Sequence, residues 1–246
     1  MDSQCSINHS CLFSSYCQNP GLQNTYPQKI EAFQKGQIIY EEAKDQSAYI
    51  IISGIGMMNM GVMYDDLHVE EQLVLALLGK EYAFGLIAPS KSRFPVSYHV
   101  QTLTKMKTCK IPFAGLKIYL SSDKSALQKI ILANDLIANA FMRQQWIMNT
   151  NKIYDRVQRA LLVLNTVEGR GWNRVPLNIT HEDLAEIVNA DRPSVTLGLK
   201  KLQSQGLIEL GYGKIWLNNE LDFFSTLDGT WDANKDNTLS RLPLVQ

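Results

Sequence analysis

The sequence predicts an α+β chain in three parts: an N-terminal jelly-roll barrel (a double-stranded β-helix), one long helix, and a C-terminal winged helix-turn-helix. Three observations predict it. Six short apolar runs between residues 28 and 122 are punctuated by Gly36, Gly54, Gly79 and Gly85 at turn-like intervals. Residues 123–148 keep a helical spacing of apolar residues with no Gly or Pro to break it. Residues 178–217 then read as two capped helices and a β-hairpin.

Taken in chain order, residues 1–27 are polar, nearly uncharged and hold three of the four cysteines, and read as a loop arm outside any core. Residues 28–122 give the barrel, with strands expected at Ile38–Tyr40, Tyr49–Ile52, Gly56–Met63, Glu71–Leu78, Ser97–Thr102 and Lys107–Pro112. The long helix, 123–150, is apolar on two sides. A seam through Ile130, Ile137, Phe141 and Met148 fits a dimer interface, and a stripe through Leu136, Ala140 and Ile147 fits the barrel. The winged part spans 151–225 and opens with a helix over 152–167 that turns Val157, Ala160, Leu161 and Leu164 inward. Residues 226–246 form a polar tail.

The helix pair carries the most chemistry. Thr180 is an N-cap, with Asp183 three residues on to complete a capping box. Leu184, Ile187 and Val188 make an apolar stripe that Asn189-Ala190 interrupts. Asp191 caps a second helix, and Pro193 sits in its first turn, where a missing N–H costs little. Val195, Leu199 and Leu202 give its buried side, and Gly206 ends it. The Gly211-Tyr212-Gly213 turn makes the wing. Such a unit places its second helix in a major groove of double-stranded DNA. The residues expected at DNA are Thr180, His181, Arg192, Ser194, Thr196, Lys200 and Lys201. Arg192 is the candidate for guanine or phosphate. Ser194 and Thr196 suit bases or phosphates, and the lysines suit phosphates.

Bulk composition narrows the class. A chain of 246 residues with 45% hydrophobic content can build two cores. Its formal net charge is +0, so any contact with nucleic acid is local. Residues 151–220 hold nine Lys and Arg against eight Asp and Glu, so a dimer with two recognition helices would add phosphate contacts that one protomer lacks. No apolar run is long enough for a membrane span, and the N-terminus lacks a signal-peptide layout, so a cytoplasmic protein with reduced thiols is expected. The histidines at 9, 68, 99 and 181 are scattered. No nucleophile–base pairing, phosphate loop or His/Glu metal motif suggests an enzyme.

Barrel, long helix and winged helix in that order resemble the CRP/FNR superfamily of bacterial transcription regulators, over about residues 28–219. Lys35-Gly36-Gln37, Tyr49-Ile50-Ile51-Ile52-Ser53-Gly54, Phe84-Gly85 and the helix-turn-helix carry the resemblance. It implies a cyclic-nucleotide-binding-like barrel, a homodimer joined along the long helices, a palindromic operator, and RNA polymerase as a partner. The superfamily's nucleotide binders carry Phe-Gly-Glu and then Arg followed by Ser or Thr one residue on. This chain has Phe84-Gly85-Leu86 and Arg93-Phe94-Pro95. Leu86 cannot accept from ribose hydroxyls, so no cyclic nucleotide is expected.

Cys5, Cys11, Cys17 and Cys109 point elsewhere. Cys5-x5-Cys11 is similar to part of the cysteine arm of FNR-type oxygen sensors. Thr108-Cys109-Lys110-Ile111-Pro112-Phe113 is similar to the segment holding their distant fourth ligand. The resemblance implies an iron–sulfur cluster, of the 4Fe-4S kind, on Cys5, Cys11, Cys17 and Cys109. The family has another cysteine where this chain has Asp2, so either Cys17 or Asp2 completes the set. A thiol–disulfide switch, a small-molecule effector in the barrel, and cysteines without a redox role are the alternatives. His9, between two of the cysteines, is not expected to ligate. FNR-type proteins also carry a Glu and a Ser-Arg pair where this chain has Pro193 and Thr196-Leu197, which implies a different operator.

Overall fold

A computed structural model describes residues 11–42, 44–62, 72–86, 96–168, 176–218, 223 and 226–227. The chain divides into two compact units, Met1–Gln145 and Trp146–Gln246. The described strands of the first unit are β1 (Lys29–Phe33), β2 (Ile38–Glu41), β3 (Ser47–Ser53), β4 (Gly56–Val62), β5 (Gln72–Leu78), β6 (Ala83–Phe84), β7 (Val96–Thr102) and β8 (Met106–Pro112). They form two four-stranded sheets, ordered β1-β8-β3-β6 and β2-β7-β4-β5, with every pairing antiparallel.

Alternation sorts β3 between two cores. Tyr49 and Ile51 join Tyr40, Met58, Leu78, Phe84 and Val100, drawn from both sheets. Ala48, Ile50 and Ile52 point the other way, into a second cluster. A strand buried on both faces explains the unbroken run Tyr49–Ile52. The six expected strands are present, with Met63 and Glu71 outside the described residues. β1 and β6 escape the sequence reading. Lys29-Ile30-Glu31-Ala32-Phe33 has charges at two of its five positions, and a two-residue strand carries no period.

The arm corrects the reading. Over residues 11–27 it is not a loop outside the core but two short helices, α1 (Ser14–Cys17) and α2 (Pro20–Thr25). Phe13, Tyr16 and Leu22 are buried with Ile50, Ile111, Leu116 and Tyr119. The polar average of the segment masked these large side chains. A further helix, α3 (Phe113–Ser122), follows directly on β8 and contributes Leu116 and Tyr119. Gly115 is needed in it. A Cβ there would lie 2.3 Å from the Tyr16 hydroxyl and 2.7 Å from Tyr26.

The long helix, α4, runs Lys124–Met148. Its orientation also corrects the reading. Ile130 packs on the cluster that contains the arm, and Ile137 and Phe141 pack on the core between the sheets, so these three do not form an outward seam. Met148 is half-buried. Alanines decide the matter. Ala126, Ala133 and Ala140 are fully buried at seven-residue intervals and let the helix approach closely. Leu127, Ile131 and Met142 remain 58%, 68% and 61% exposed on the opposite side, joined by exposed Ala138.

The second unit holds α5 (Ile153–Val167), α6 (His181–Ile187), α7 (Arg192–Ser204), β9 (Ile208–Gly211) and β10 (Lys214–Leu217). Val157, Ala160, Leu161 and Leu164 of α5 are buried, as are Leu184, Ile187, Val195, Leu199 and Leu202. β9 and β10 pair antiparallel from Gly211↔Lys214 to Ile208↔Leu217, and Leu177 bridges to Ile215. Among the described residues, no helix is long and apolar enough to cross a membrane. Residues 228–246 of the expected tail lie outside the described residues.

Candidate nucleic-acid interface

Two caps set the ends of the helix pair. The Thr180 hydroxyl accepts from the Asp183 amide, and the Asp183 carboxylate accepts from the Thr180 amide at 2.6 Å, closing the box before α6. Asp191 accepts from the Ser194 amide at 2.8 Å and caps α7, which holds its carboxyl below the usual range. Asn189 between the helices takes a left-handed φ of 47°, a conformation asparagine tolerates better than most residues. Gly206, at φ +71°, turns the chain out of α7.

Packing fixes which way α7 faces. Val195, Gly198, Leu199 and Leu202 are its buried side. Arg192, Pro193, Leu197, Lys200 and Lys201 are exposed. The expected polar side chains divide. The Ser194 hydroxyl donates to the Asp191 carboxylate, and the Thr180 hydroxyl donates to Asp183. The Thr196 hydroxyl donates to the Arg192 carbonyl at 2.9 Å, so the contact between Thr196 Oγ1 and His181 Nδ1 assigns the proton to the imidazole nitrogen. Burial, and then the nearby Arg192, hold the His181 pKa below its ordinary value, while Glu182 opposes them. The His181–Thr196 contact joins α6 to α7, while the Thr180 and Ser194 hydroxyls stay within the caps of their own helices. Arg192 pairs with Glu182 at 3.3 Å, both side chains exposed. Lys201 lies over the Tyr154 ring at 4.2 Å, and Lys200 is exposed on the outward side. Sequence reasoning missed Glu182 and Tyr154. Both lie far in sequence from the groups they meet, and no local spacing marks them. Tyr212 stands fully exposed at the tip of the wing.

Three of the cysteines gather in the first unit. Cys11, Cys17 and Cys109 share one cluster with Phe13, Tyr16 and Tyr119. Hydrogen bonding with Cys109 holds the Cys17 thiol below its ordinary pKa, against the opposing push of burial. Burial pushes the Tyr16 phenol up to about 12, and the two thiols push the same way. Lys129 of α4 donates to Ser15 Oγ and, at 3.0 Å, to the Tyr119 hydroxyl, tying α1 and α3 to the long helix. Cys5, Asp2 and His9 lie outside the described residues. Among the described residues, no group of three or more His, Cys, Asp and Glu is arranged to hold a metal ion. A thiolate-bound group is therefore matched in part, by one hydrogen-bonded thiol pair and a third cysteine in the same cluster.

Leu86, where a nucleotide binder needs Glu, is buried in this same cluster. Gly85 before it has φ +70°, and a Cβ there would lie 2.6 Å from the Ser47 carbonyl. Arg93 lies outside the described residues. Tyr40, Tyr49, Phe84 and Tyr98 fill the space between the sheets with edge-on and stacked rings.

Comparison with known proteins agrees with this geometry. Residues 155–220 match the family model of the Crp-like helix-turn-helix domain. No curated protein sequence matches the chain. Among solved structures, FixK2 of Bradyrhizobium japonicum is 16% identical with a TM-score of 0.67, over 83% of this chain and 99% of that one. A CRP-family transcriptional regulator of Thermus thermophilus is 17% identical with a TM-score of 0.64, over 82% and 99%. A CRP/FNR-family regulator of the same organism is 22% identical with a TM-score of 0.60, over 81% and 98%. At these identities the likeness is one of fold: the two-sheet barrel, the long helix and the helix-turn-helix unit.

Proposed function

From that match we propose that the chain is a DNA-binding transcription regulator of the CRP/FNR kind, acting as a homodimer in the cytoplasm on a palindromic operator, with RNA polymerase as a partner. The doubly capped helix pair, with Arg192 and Lys200 outward on α7, is the observation that carries the reading. α7 enters the major groove, Arg192 meets guanine or phosphate, and Lys200 and Lys201 meet phosphates. Thr180, His181, Ser194 and Thr196 hold the unit in shape and offer DNA only acceptor positions. The exposed side of α4, through Leu127, Ile131 and Met142, is the dimer seam in this reading. Selection from a pool of random-sequence duplexes tests it. Two half-sites one helical turn apart should be enriched. A pool with no enriched sequence would overturn the reading.

The sensor reading rests on the thiol cluster. We infer an iron–sulfur group held by Cys11, Cys17 and Cys109, with Cys5 as fourth ligand. When bound, it would supply a centre that oxygen or nitric oxide destroys. The protein's own part is to seat α1 beside β8 and to tie it through Ser15, Tyr119 and Lys129 to α4. Leu86, buried and without an acceptor, supports a reading without cyclic nucleotide. The contact between the Cys17 and Cys109 thiols favours a second reading, a disulfide switch. Purification without oxygen separates the two. Iron and sulfide that bleach in air support the first. A colourless protein that loses two hydrogens on mild oxidation supports the second.

A further inference from the structure

We propose that Leu197 is a base-reading residue of α7, and that it reads thymine through the C5-methyl group. This rests on the DNA-binding reading and adds what that helix selects. The buried side of α7 is fixed by Val195, Gly198, Leu199 and Leu202. The positions opposite it in the first two turns are Pro193 and Leu197, one helical turn apart. Leu197 is 67% exposed. A single exposed leucine is ordinary, but its neighbours change the argument. The hydroxyl protons of Ser194 and Thr196 are engaged within the fold, and His181 is turned onto Thr196. The leading edge of the helix is therefore apolar, and it is flanked by the cations Arg192 and Lys200. Those cations bracket Leu197 along the helix axis, and the apolar edge between them needs an apolar feature on the groove floor. In the major groove only the thymine methyl supplies one.

The test uses uracil, which keeps every hydrogen-bonding group of thymine and lacks only the methyl. Duplexes are selected from a random pool, and each thymine of the enriched half-site is replaced by deoxyuridine in turn. At one position the wild-type protein should bind about three- to fivefold more weakly, the worth of one buried methyl group. Leu197→Ala should bind the thymine and uracil duplexes alike. Leu197→Arg, tested in a fresh selection, should move the preference at that position from thymine to guanine. Uracil tolerated at every position by the wild type would overturn the proposal without touching the DNA-binding reading. So would a penalty unchanged in Leu197→Ala, or a thymine preference kept by Leu197→Arg. A pool with no enriched sequence would overturn both. The uracil scan on the wild type needs no variant, so misfolding cannot hide the answer.

Discussion

The hydroxyl of Thr196 has one proton, and the Arg192 carbonyl takes it. The consequence reaches His181, whose Nδ1 must then donate, while burial and the nearby Arg192 favour its neutral form. Burial and Arg192 hold its folded pKa below the ordinary 6.5, so the unfolded chain takes up the proton first as pH falls. The stability that this histidine contributes is complete above pH about 6.5 and is lost as pH drops toward the folded value. Thermal unfolding followed from about pH 8 to about pH 5 should show this decline, and His181→Gln should flatten it. A slope unchanged by the substitution would mean that another group titrates. Arg192 has a different fate. Its pairing with Glu182 is exposed and worth little, so the guanidinium is available to DNA. Arg192→Ala should weaken operator binding by about 1–3 kcal/mol, measured by titration, and relax preference at one position.

At the scale of elements, two surfaces can be tested. Gly115 of α3 is the floor on which the Tyr16 hydroxyl rests. Gly115→Ala should lift the arm, speed alkylation of Cys11 and Cys17, and lower the melting temperature. Unchanged alkylation would mean that α1 is held without this contact. On α4, Ile131→Asp should leave the fold intact, because the site is exposed, and should reduce the proposed dimer to monomers in sedimentation. What the sequence made legible follows the same division. The caps at Thr180 and Asp191, the stop at Gly206 and six strands were readable, because each depends on residues within a few positions. The direction of α4 was not. Both sides of that helix are apolar, and the choice fell to alanines, whose small size matters only against a neighbouring surface. The arm was misread because Phe13, Tyr16 and Leu22 are buried by α3 and β8, far along the chain. The resemblance to FNR-type sensors singled out all four cysteines, but the mutual contact of Cys17 and Cys109 could not be read from the sequence.

For the molecule as a whole, charge sets the working conditions. With a net charge of +0, long-range attraction to DNA is weak, and in the proposed dimer affinity would come from the few cations on α7 counted twice. A monomeric Ile131→Asp variant should therefore lose most operator affinity and show roughly half the salt dependence of the wild type, read as the slope of log affinity against log salt. An equal slope in both would mean that each protomer binds alone. One feature of α4 bears on how such a chain can diverge. Ala126, Ala133 and Ala140 leave no room for a longer side chain, while Leu127, Ile131 and Met142 face open space in the single chain. Randomised one codon at a time and screened for folded protein, the first three should return little besides Ala, Gly and Ser. The other three should return a broad spectrum. Along a single helix, some codons are thereby nearly frozen while others drift, and a change of dimer partner can be reached through the drifting ones without disturbing the barrel.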